Sequence, residues 1–180
     1  MIVVFTGNGK GKTTAALGQA VRLVGRGKRV LMIQFIKGPW KSGEDFIEIK
    51  NQKSKIKNTE GYFELRKRGL GFVGILGDKL PREEHANAAQ RALHEFVAER
   101  ASGRWDAFIL DEVSVAVSLG LLTADEVLEA VKGLPAETIV VFTGRDAPEV
   151  FIEHADLVTE MRDIKHPFHE GKLAKISFDF

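Results

Sequence analysis

The sequence has no cysteine among its 180 residues, only five prolines and a single tyrosine. The chain therefore has no disulfide, no thiolate nucleophile and no cysteine metal site. Its net charge of +1 gives no overall field for nucleic acid, so no nucleic-acid partner is expected. No apolar run is long enough to predict a membrane span, and no membrane partner is expected. Length and a 44% hydrophobic fraction predict one globular domain over residues 1–180.

Apolar runs alternate with helical patterns, which is typical of an α/β fold with a mostly parallel sheet. We expect a three-layer, P-loop NTPase-like (RecA-like) fold with about six strands flanked by helices. Predicted strands are Ile2–Phe5, Val30–Phe35, Phe46–Ile49, Phe108–Leu110, Thr138–Phe142 and Leu157–Thr159, with Leu173–Phe178 as an edge-strand candidate. Predicted helices are Lys12–Arg26, Pro81–Ala101, Thr123–Lys132 and Ala147–Glu153.

A glycine-rich turn joins the first predicted strand to the first predicted helix, as in a phosphate-binding loop. Glycines let backbone N–H groups turn towards an anion, and the helix directs its positive end to the same place. Lys12 adds a full charge, and the Thr13 hydroxyl is a candidate Mg²⁺ ligand. The predicted nucleotide-binding residues are Gly7, Asn8, Gly9, Lys10, Gly11, Lys12, Thr13 and Thr14. Because this turn lies so close to Met1, no signal peptide is predicted and a cytoplasmic location is expected.

The turn is shorter than the common form, in which four residues separate the first glycine from Gly-Lys-Ser/Thr. Here Asn8, Gly9 and Lys10 alone separate Gly7 from Gly11. The triphosphate is therefore expected to lie differently from that of a common ATPase.

Two carboxylates, Asp111 and Glu112, follow the predicted strand Phe108–Leu110. In a protein with a phosphate loop, this is where Mg²⁺ is held, so Thr13, Asp111 and Glu112 are the predicted metal residues. The alternative is that these two carboxylates are solvated at the end of the strand and cap a helix that runs from Val113 onward. Glu112 is also suited to act as a base for water, so the pair does not separate an ATPase from a transferase.

Two basic residues follow other predicted strands and are candidates for phosphate contacts, since ligands bind beyond the carboxyl ends of parallel strands. For Arg145, the alternative is a structural ion pair with Asp146 or Glu149. For Lys37, the alternative is a solvated loop lysine.

Residues 50–80 are rich in glycine, lysine and arginine. We expect a long mobile loop over the site, with a surface excursion as the alternative. The cluster Arg66-Lys67-Arg68 is interpreted as solvated. His166 and His169 match no usual metal-ligand spacing, and His85 and His94 do not share one helix face, so no histidine metal site is predicted.

In this order, the motifs resemble the ATP:corrinoid adenosyltransferases of the P-loop type. These enzymes attach the 5′-deoxyadenosyl group of ATP to the cobalt of cobalamin or of a precursor such as cobyrinic acid diamide. The shortened loop is itself characteristic of the family. The resemblance covers nearly the whole chain and is carried by Thr6–Ala16, Gln34–Gly38, Gly43-Glu44, Gly71-Phe72, Leu110–Glu112, Thr143–Arg145, Ala155–Met161 and Lys165–Phe168.

The resemblance implies that cobalt(I) attacks the 5′-carbon of ATP and that triphosphate leaves intact. It implies a nucleotide bound backwards in the loop, with Lys12 neutralising the triphosphate and Thr13 with Asp111 or Glu112 holding Mg²⁺. It assigns Phe72 to the lower face of cobalt. The implied catalytic residues are Lys12, Thr13, Glu112 and Phe72. A homodimer and a flavin-dependent reductase as electron donor are also implied.

The sequence departs from the family pattern at two places. Gly74 stands where well-known members carry tryptophan, and Trp40 is a candidate replacement for that wall of the corrinoid pocket. The chain also starts directly at the first strand, whereas some members carry an N-terminal extension. Both departures concern corrinoid binding and leave ATP binding intact. The alternatives are a P-loop ATPase or small kinase, and a non-catalytic corrinoid or nucleotide carrier.

Overall fold

The computed structural model describes residues 1–47, 60–75, 77–171 and 175, and its centre is a six-stranded parallel sheet. The strands are β1 Ile2–Thr6, β2 Arg29–Gln34, β3 Tyr62–Lys67, β4 Ala107–Asp111, β5 Ile139–Thr143 and β6 Leu157–Glu160. The helices are α1 Lys12–Gly25, α2 Arg82–Ala101, α3 Val113–Ser118, α4 Ala124–Val131 and α5 Glu149–His154, with 3₁₀ turns at Gly43–Phe46 and Pro167–Glu170. The strand order is β3-β2-β4-β5-β1-β6, which confirms the predicted α/β fold.

The sheet is covered on both faces, which explains the continuous apolar runs in its central strands. Alternate residues of one strand enter different cores: Leu31 and Ile33 pack with residues of α2 to α5, whereas Met32 packs with residues of α1. On the α1 side, small residues such as Ala16 and Ala20 let the helix approach the sheet closely.

The register brings the carboxyl ends of four strands to one edge. Gln34 of β2 pairs with Asp111 of β4, and Phe5 of β1 pairs with Thr143 of β5. The turn from β1 to α1 leaves from this same edge, so the predicted phosphate loop and the predicted carboxylates meet there.

Three expectations about secondary structure need correction. Residues 50–80 are not one irregular loop, because β3 lies within them and pairs with β2. The predicted strand Phe46–Ile49 is wrong at its described end, since Phe46 closes a 3₁₀ turn that Ser42 and Asp45 stabilise with a capping box. The helix α3 is not among the predicted helices, although the alternative interpretation of Asp111 and Glu112 includes a helix from Val113 onward. The edge-strand candidate at 173–178 lies outside the described residues except for Lys175.

Two residues of the basic cluster at 66–68, Arg66 and Lys67, are not solvated, whereas Arg68 is exposed as predicted. Arg66 is mostly buried and donates to Glu95 at 2.8 Å and to Glu99 at 2.7 Å, both on α2. Lys67 donates to Asp45 at 2.5 Å. These contacts with the acidic face of α2 and with the 3₁₀ turn fix β3 at the edge of the sheet. Among the described residues, no helix has both the length and the apolarity to cross a membrane.

Glu99 is expected to contribute stability that depends on pH. Burial alone would raise its pKa, but hydrogen bonds from Trp105, Arg66 and Arg104 outweigh burial and lower the pKa to about 2. Because the folded pKa lies below the ordinary value of 4.5, this stabilisation is present above pH 4.5 and is lost as the pH falls towards 2. Glu99→Gln should therefore lower the free energy of unfolding at pH 7 and flatten its decline in acid.

Urea unfolding between pH 7 and pH 3 measures this effect. Glu129→Gln is the matched control, since its exposed ion pair with Lys132 is expected to contribute little. An acid decline as steep in Glu99→Gln as in the unsubstituted protein would contradict the assignment.

Candidate functional site

The turn between β1 and α1 curls around the ammonium group of Lys12. Gly7 has φ 92° and Gly11 has φ 113°, conformations that favour glycine. The buried Lys12 Nζ donates to the carbonyl oxygens of Gly7 and Gly9, both at 2.7 Å. Burial lowers the pKa of Lys12, against the opposing charge of Glu112. The side chains of Asn8, Lys10 and Thr14 are exposed at this turn.

This turn lies against the chain that leaves β6. The Gly9 N–H donates to the Met161 carbonyl at 2.6 Å, and the Met161 N–H donates to the Thr6 carbonyl at 2.8 Å. A Cβ atom on Gly7 would lie 2.4 Å from the Met161 oxygen, and one on Gly9 would lie 2.7 Å from the Arg162 carbonyl. Both positions therefore require glycine because backbone meets backbone.

Asp111 is the centre of a buried polar cluster at the sheet edge. Its Oδ1 accepts from the Thr13 hydroxyl at 2.9 Å and from the Thr143 hydroxyl at 2.7 Å. Its Oδ2 accepts from Gln34 Nε2 at 3.0 Å and lies 4.0 Å from Lys37 Nζ. The structure thus brings together Thr13 and Asp111, which come from opposite halves of the sequence. Asp111 is fully buried, so this strand exit is not a solvated one.

Glu112 follows directly and adopts φ 60°, an uncommon conformation for a residue with a side chain. It occupies the N-cap position of α3, but its side chain makes no capping hydrogen bond, while its N–H donates to the Thr143 hydroxyl at 2.9 Å. Burial raises the pKa of Glu112 to about 7, with the neighbouring Asp111 charge acting in the same direction. This carboxyl is therefore aimed at the site rather than used to cap the helix.

The two predicted basic residues lie at the same edge in different surroundings. Lys37 is half-buried and donates to Glu44 at 2.5 Å, so it is not a solvated loop lysine. Arg145 is exposed, and within the described ranges it forms no salt bridge with Asp146 or Glu149. A phosphate contact by either residue stays a prediction.

Two exposed aromatic rings, Trp40 and Phe72, belong to the segments that follow β2 and β3. Trp40 is 65% exposed and Phe72 is 47% exposed, with ring centroids 6.0 Å apart. The segments that carry the two rings make a close backbone contact at Gly38 and Gly71, since a Cβ on Gly38 would lie 2.9 Å from Gly71. Large exposed apolar groups that lie together often mark a binding surface. Gly74 has φ 69°, which disfavours the tryptophan that the family resemblance expects there.

Sequence reasoning missed three members of the site: Gln34, Thr143 and Glu44. The available signal was a polar residue at the end of an apolar strand for Gln34 and Thr143. The expected lack of a histidine metal site stays a prediction. Of the described residues, no three or more histidine, aspartate or glutamate side chains group to hold a metal. His169 lies 2.8 Å from Asp163 instead.

The parallel sheet, covered on both faces and with a glycine turn between β1 and α1, defines a three-layer α/β protein consistent with the P-loop NTPase-like class. Within that class, the family model described as ATP:corrinoid adenosyltransferase BtuR/CobO/CobP matches residues 1–180. The chain therefore belongs to this family, which confirms the resemblance found in its motifs.

Individual relatives agree with the family match. The chain is 36% identical over 181 residues to the corrinoid adenosyltransferase of Escherichia coli (strain K12), covering 100% of this chain and 85% of that protein. It is 34% identical over 181 residues to the corrinoid adenosyltransferase CobA of Salmonella typhimurium, with the same coverage. It is 34% identical over 180 residues to the corrinoid adenosyltransferase of Pseudomonas aeruginosa, covering 83% of that protein.

Gly9→Ala is expected to destabilise the folded protein, because the added methyl group would overlap the Met161 and Arg162 backbone. Overlap with backbone costs about 1–3 kcal/mol in unfolding free energy, since neither strand nor turn shifts freely. The matched control is Gly18→Ala in α1, where a Cβ meets nothing within 4 Å and the change should be neutral or stabilising. Equal unfolding free energies for the two variants in urea would contradict this contact.

Proposed function

We propose that this chain transfers the 5′-deoxyadenosyl group of ATP to cobalt(I) of a corrinoid and releases triphosphate. The observation that carries the proposal is that a member of the corrinoid adenosyltransferase family has both a glycine turn around the ammonium group of Lys12 and an exposed aromatic pair. One half suits a polyphosphate, and the other suits the apolar ring of a corrin.

The reaction needs little from protein side chains beyond binding and charge. The cobalt(I) electron pair forms the bond to the 5′-carbon, the carbon–oxygen bond to the triphosphate breaks, and the triphosphate retains that electron pair. No proton moves in this step, so no protein nucleophile or base is required. The residues of the turn are proposed to hold the leaving triphosphate, and Lys12 to offset its growing charge.

The position of Lys12 within the glycine turn supports this role, although its ammonium group has other acceptors in the structure. Its ammonium group donates to the Gly7 and Gly9 carbonyls. Phosphate oxygens are acceptors too, so they can take the place of these carbonyls. We infer that ATP binding replaces these two carbonyl acceptors by phosphate. Lys37 and Arg145 lie at the same edge and are proposed to add positive charge towards the triphosphate.

The residues also fit Mg²⁺. Thr13 and Asp111 supply hard oxygen donors 2.9 Å apart, which Mg²⁺ prefers, and Glu112 is the third candidate. The buried Gln34 Oε1 has no hydrogen-bond partner among the described residues, and it is suited to accept from a water molecule on the cation. When bound, Mg²⁺ supplies charge neutralisation for the leaving triphosphate. Few protein ligands are expected because substrate phosphates and water complete the magnesium shell.

Trp40 and Phe72 are proposed to contact the corrinoid, with Phe72 at the lower face of cobalt. Both rings are exposed, and Trp40, which packs beside Phe72, is proposed to replace the wall that Gly74 does not provide. The family resemblance also predicts a homodimer and a flavin-dependent reductase as electron donor. A cytoplasmic location is proposed because ATP is found there.

Incubation with Mg-ATP and chemically reduced cobalamin tests the proposal. We expect a cobalt–carbon bond in the visible spectrum and triphosphate as the phosphate product, released only when reduced corrinoid is present. Lys12→Ala should lower the rate by about 100-fold or more, because a charge opposite the leaving group is lost. Lys132→Ala, which removes an exposed lysine of α4's C-terminal end, should leave the rate unchanged.

Two other results would overturn the assignment. ADP and phosphate formed without corrinoid would indicate an ATPase or small kinase. Saturable binding of both ligands without turnover would indicate a carrier.

Trp40→Ala should raise the KM for reduced cobalamin by about 10- to 100-fold, since one large apolar contact is lost. The KM for ATP should stay unchanged, because the residues proposed to hold the triphosphate belong to the Lys12 turn and do not include Trp40. Steady-state kinetics with each substrate varied in turn measures both values. Leu157→Ala is the control, as it removes an exposed apolar side chain at the opposite edge of the sheet. An unchanged KM for cobalamin in Trp40→Ala would remove this residue from the pocket.

A further inference from the structure

Asp78 gathers three donors from the segment that follows Phe72. Its Oδ2 accepts from the Gly74 N–H at 2.8 Å, and its Oδ1 accepts from the Leu80 N–H at 3.0 Å. His85 Nε2 lies 3.0 Å from the same Oδ2. We refer to these four residues, Gly74, Asp78, Leu80 and His85, as the Asp78 clasp.

The clasp is a polar group that the proposed chemistry does not use. The side chains of Asp78 and His85 are 8% and 2% exposed, whereas Gly74 and Leu80 lie at the surface. The backbone hydrogen bonds from Gly74 and Leu80 hold the pKa of Asp78 below its ordinary value, so the carboxyl stays charged near neutral pH. A charged carboxylate whose oxygens accept several hydrogen bonds holds its donors in place.

The segment that it binds would otherwise have many conformations. Gly74 has φ 69° and Gly77 has φ 82°, and glycine at such positions gives the unconstrained chain wide freedom. The hydrogen bonds from Gly74 and Leu80 connect Asp78 to the chain before it and after it. The third bond reaches His85 on α2, a helix of 20 residues whose Ala88 and Ala89 are buried in the core. The clasp therefore anchors a pliable turn to a rigid element.

The anchored turn borders the exposed aromatic surface. Phe72 lies two residues before Gly74 and packs beside Trp40. Ile75 lies inside the turn and is 59% exposed. Because Gly71 is already fixed by its N–H bond to the Ile36 carbonyl at 2.9 Å, the clasp holds the other end of the same short segment.

We propose that Asp78 is a positioning residue for the second substrate: together with His85 it holds the turn so that Phe72 and Ile75 are presented beside Trp40. The proposal rests on the proposed function, in which that substrate is a corrinoid. Asp78 touches no substrate itself. Its removal lowers the fraction of molecules in which the apolar surface is formed, which weakens apparent binding in proportion.

Asp78→Ala tests the proposal in the kinetic assay with reduced cobalamin and Mg-ATP. We expect the KM for cobalamin to rise about tenfold, with the KM for ATP and kcat within about twofold. Asp78→Asn retains one acceptor oxygen and should fall between the unsubstituted protein and Asp78→Ala. This variant carries the test if Asp78→Ala fails to fold.

Glu126→Ala is a matched control. Glu126 also accepts a backbone N–H, from Thr123 at 2.7 Å, and a side-chain donor of α2, from Gln90 at 2.9 Å. It caps α4 and lies outside the aromatic surface. Glu126→Ala should lower the melting temperature without a change in the KM for cobalamin.

The outcomes separate the two proposals. If the unsubstituted protein transfers no adenosyl group, the proposed function itself is wrong. If it does, but Asp78→Ala keeps the normal KM for cobalamin, the role of Asp78 is wrong while the function stands. The role is also wrong if the KM values for ATP and cobalamin rise together, since that result indicates general loosening of the fold.

Discussion

The buried carboxylate of Asp111 is the interaction on which the site depends. A fully buried charge is costly unless hydrogen bonds satisfy it, and here Thr13, Gln34 and Thr143 provide them from α1, β2 and β5. Each donor reaches Asp111 only if its own element is in register. The hydrogen bonds to this one carboxylate therefore fix the relative placement of α1, β2 and β5. Because Lys12 is the first residue of α1, they also fix the position of Lys12.

Close backbone contacts are a second constraint, and each half of the site depends on them. The turn around Lys12 rests on the chain after β6 through Gly7 and Gly9, and the aromatic segments meet through Gly38 and Gly71. A Cβ on Gly7, Gly9 or Gly38 would overlap backbone atoms, and one on Gly71 would overlap the Trp40 ring. The absence of side chains at these four positions therefore lets the chain segments of each half approach closely.

The parts of the structure set by local sequence could be predicted, and the parts set by distant partners could not. Continuous apolar strands and the capping box at Thr123 can each be recognised from a few consecutive residues. The strand β3 cannot, because charged Glu64 and Arg66 alternate with its apolar residues, and Arg66 finds its partner Glu99 on the distant helix α2. Likewise, spacing reveals Lys12, Thr13 and Asp111, whereas Gln34 and Thr143 join the site through sheet register, and Asp78 meets His85 through the placement of α2.

The backbone of Gly74 limits which side chains this surface can carry. Space around it is open, since a Cβ would meet nothing within 4 Å, yet its left-handed backbone excludes most side chains. Replacing the glycine by tryptophan alone would therefore strain the turn, even though the added Cβ has room. A ring contributed from another segment, as proposed for Trp40, avoids this strain because the backbone at Gly74 stays unchanged.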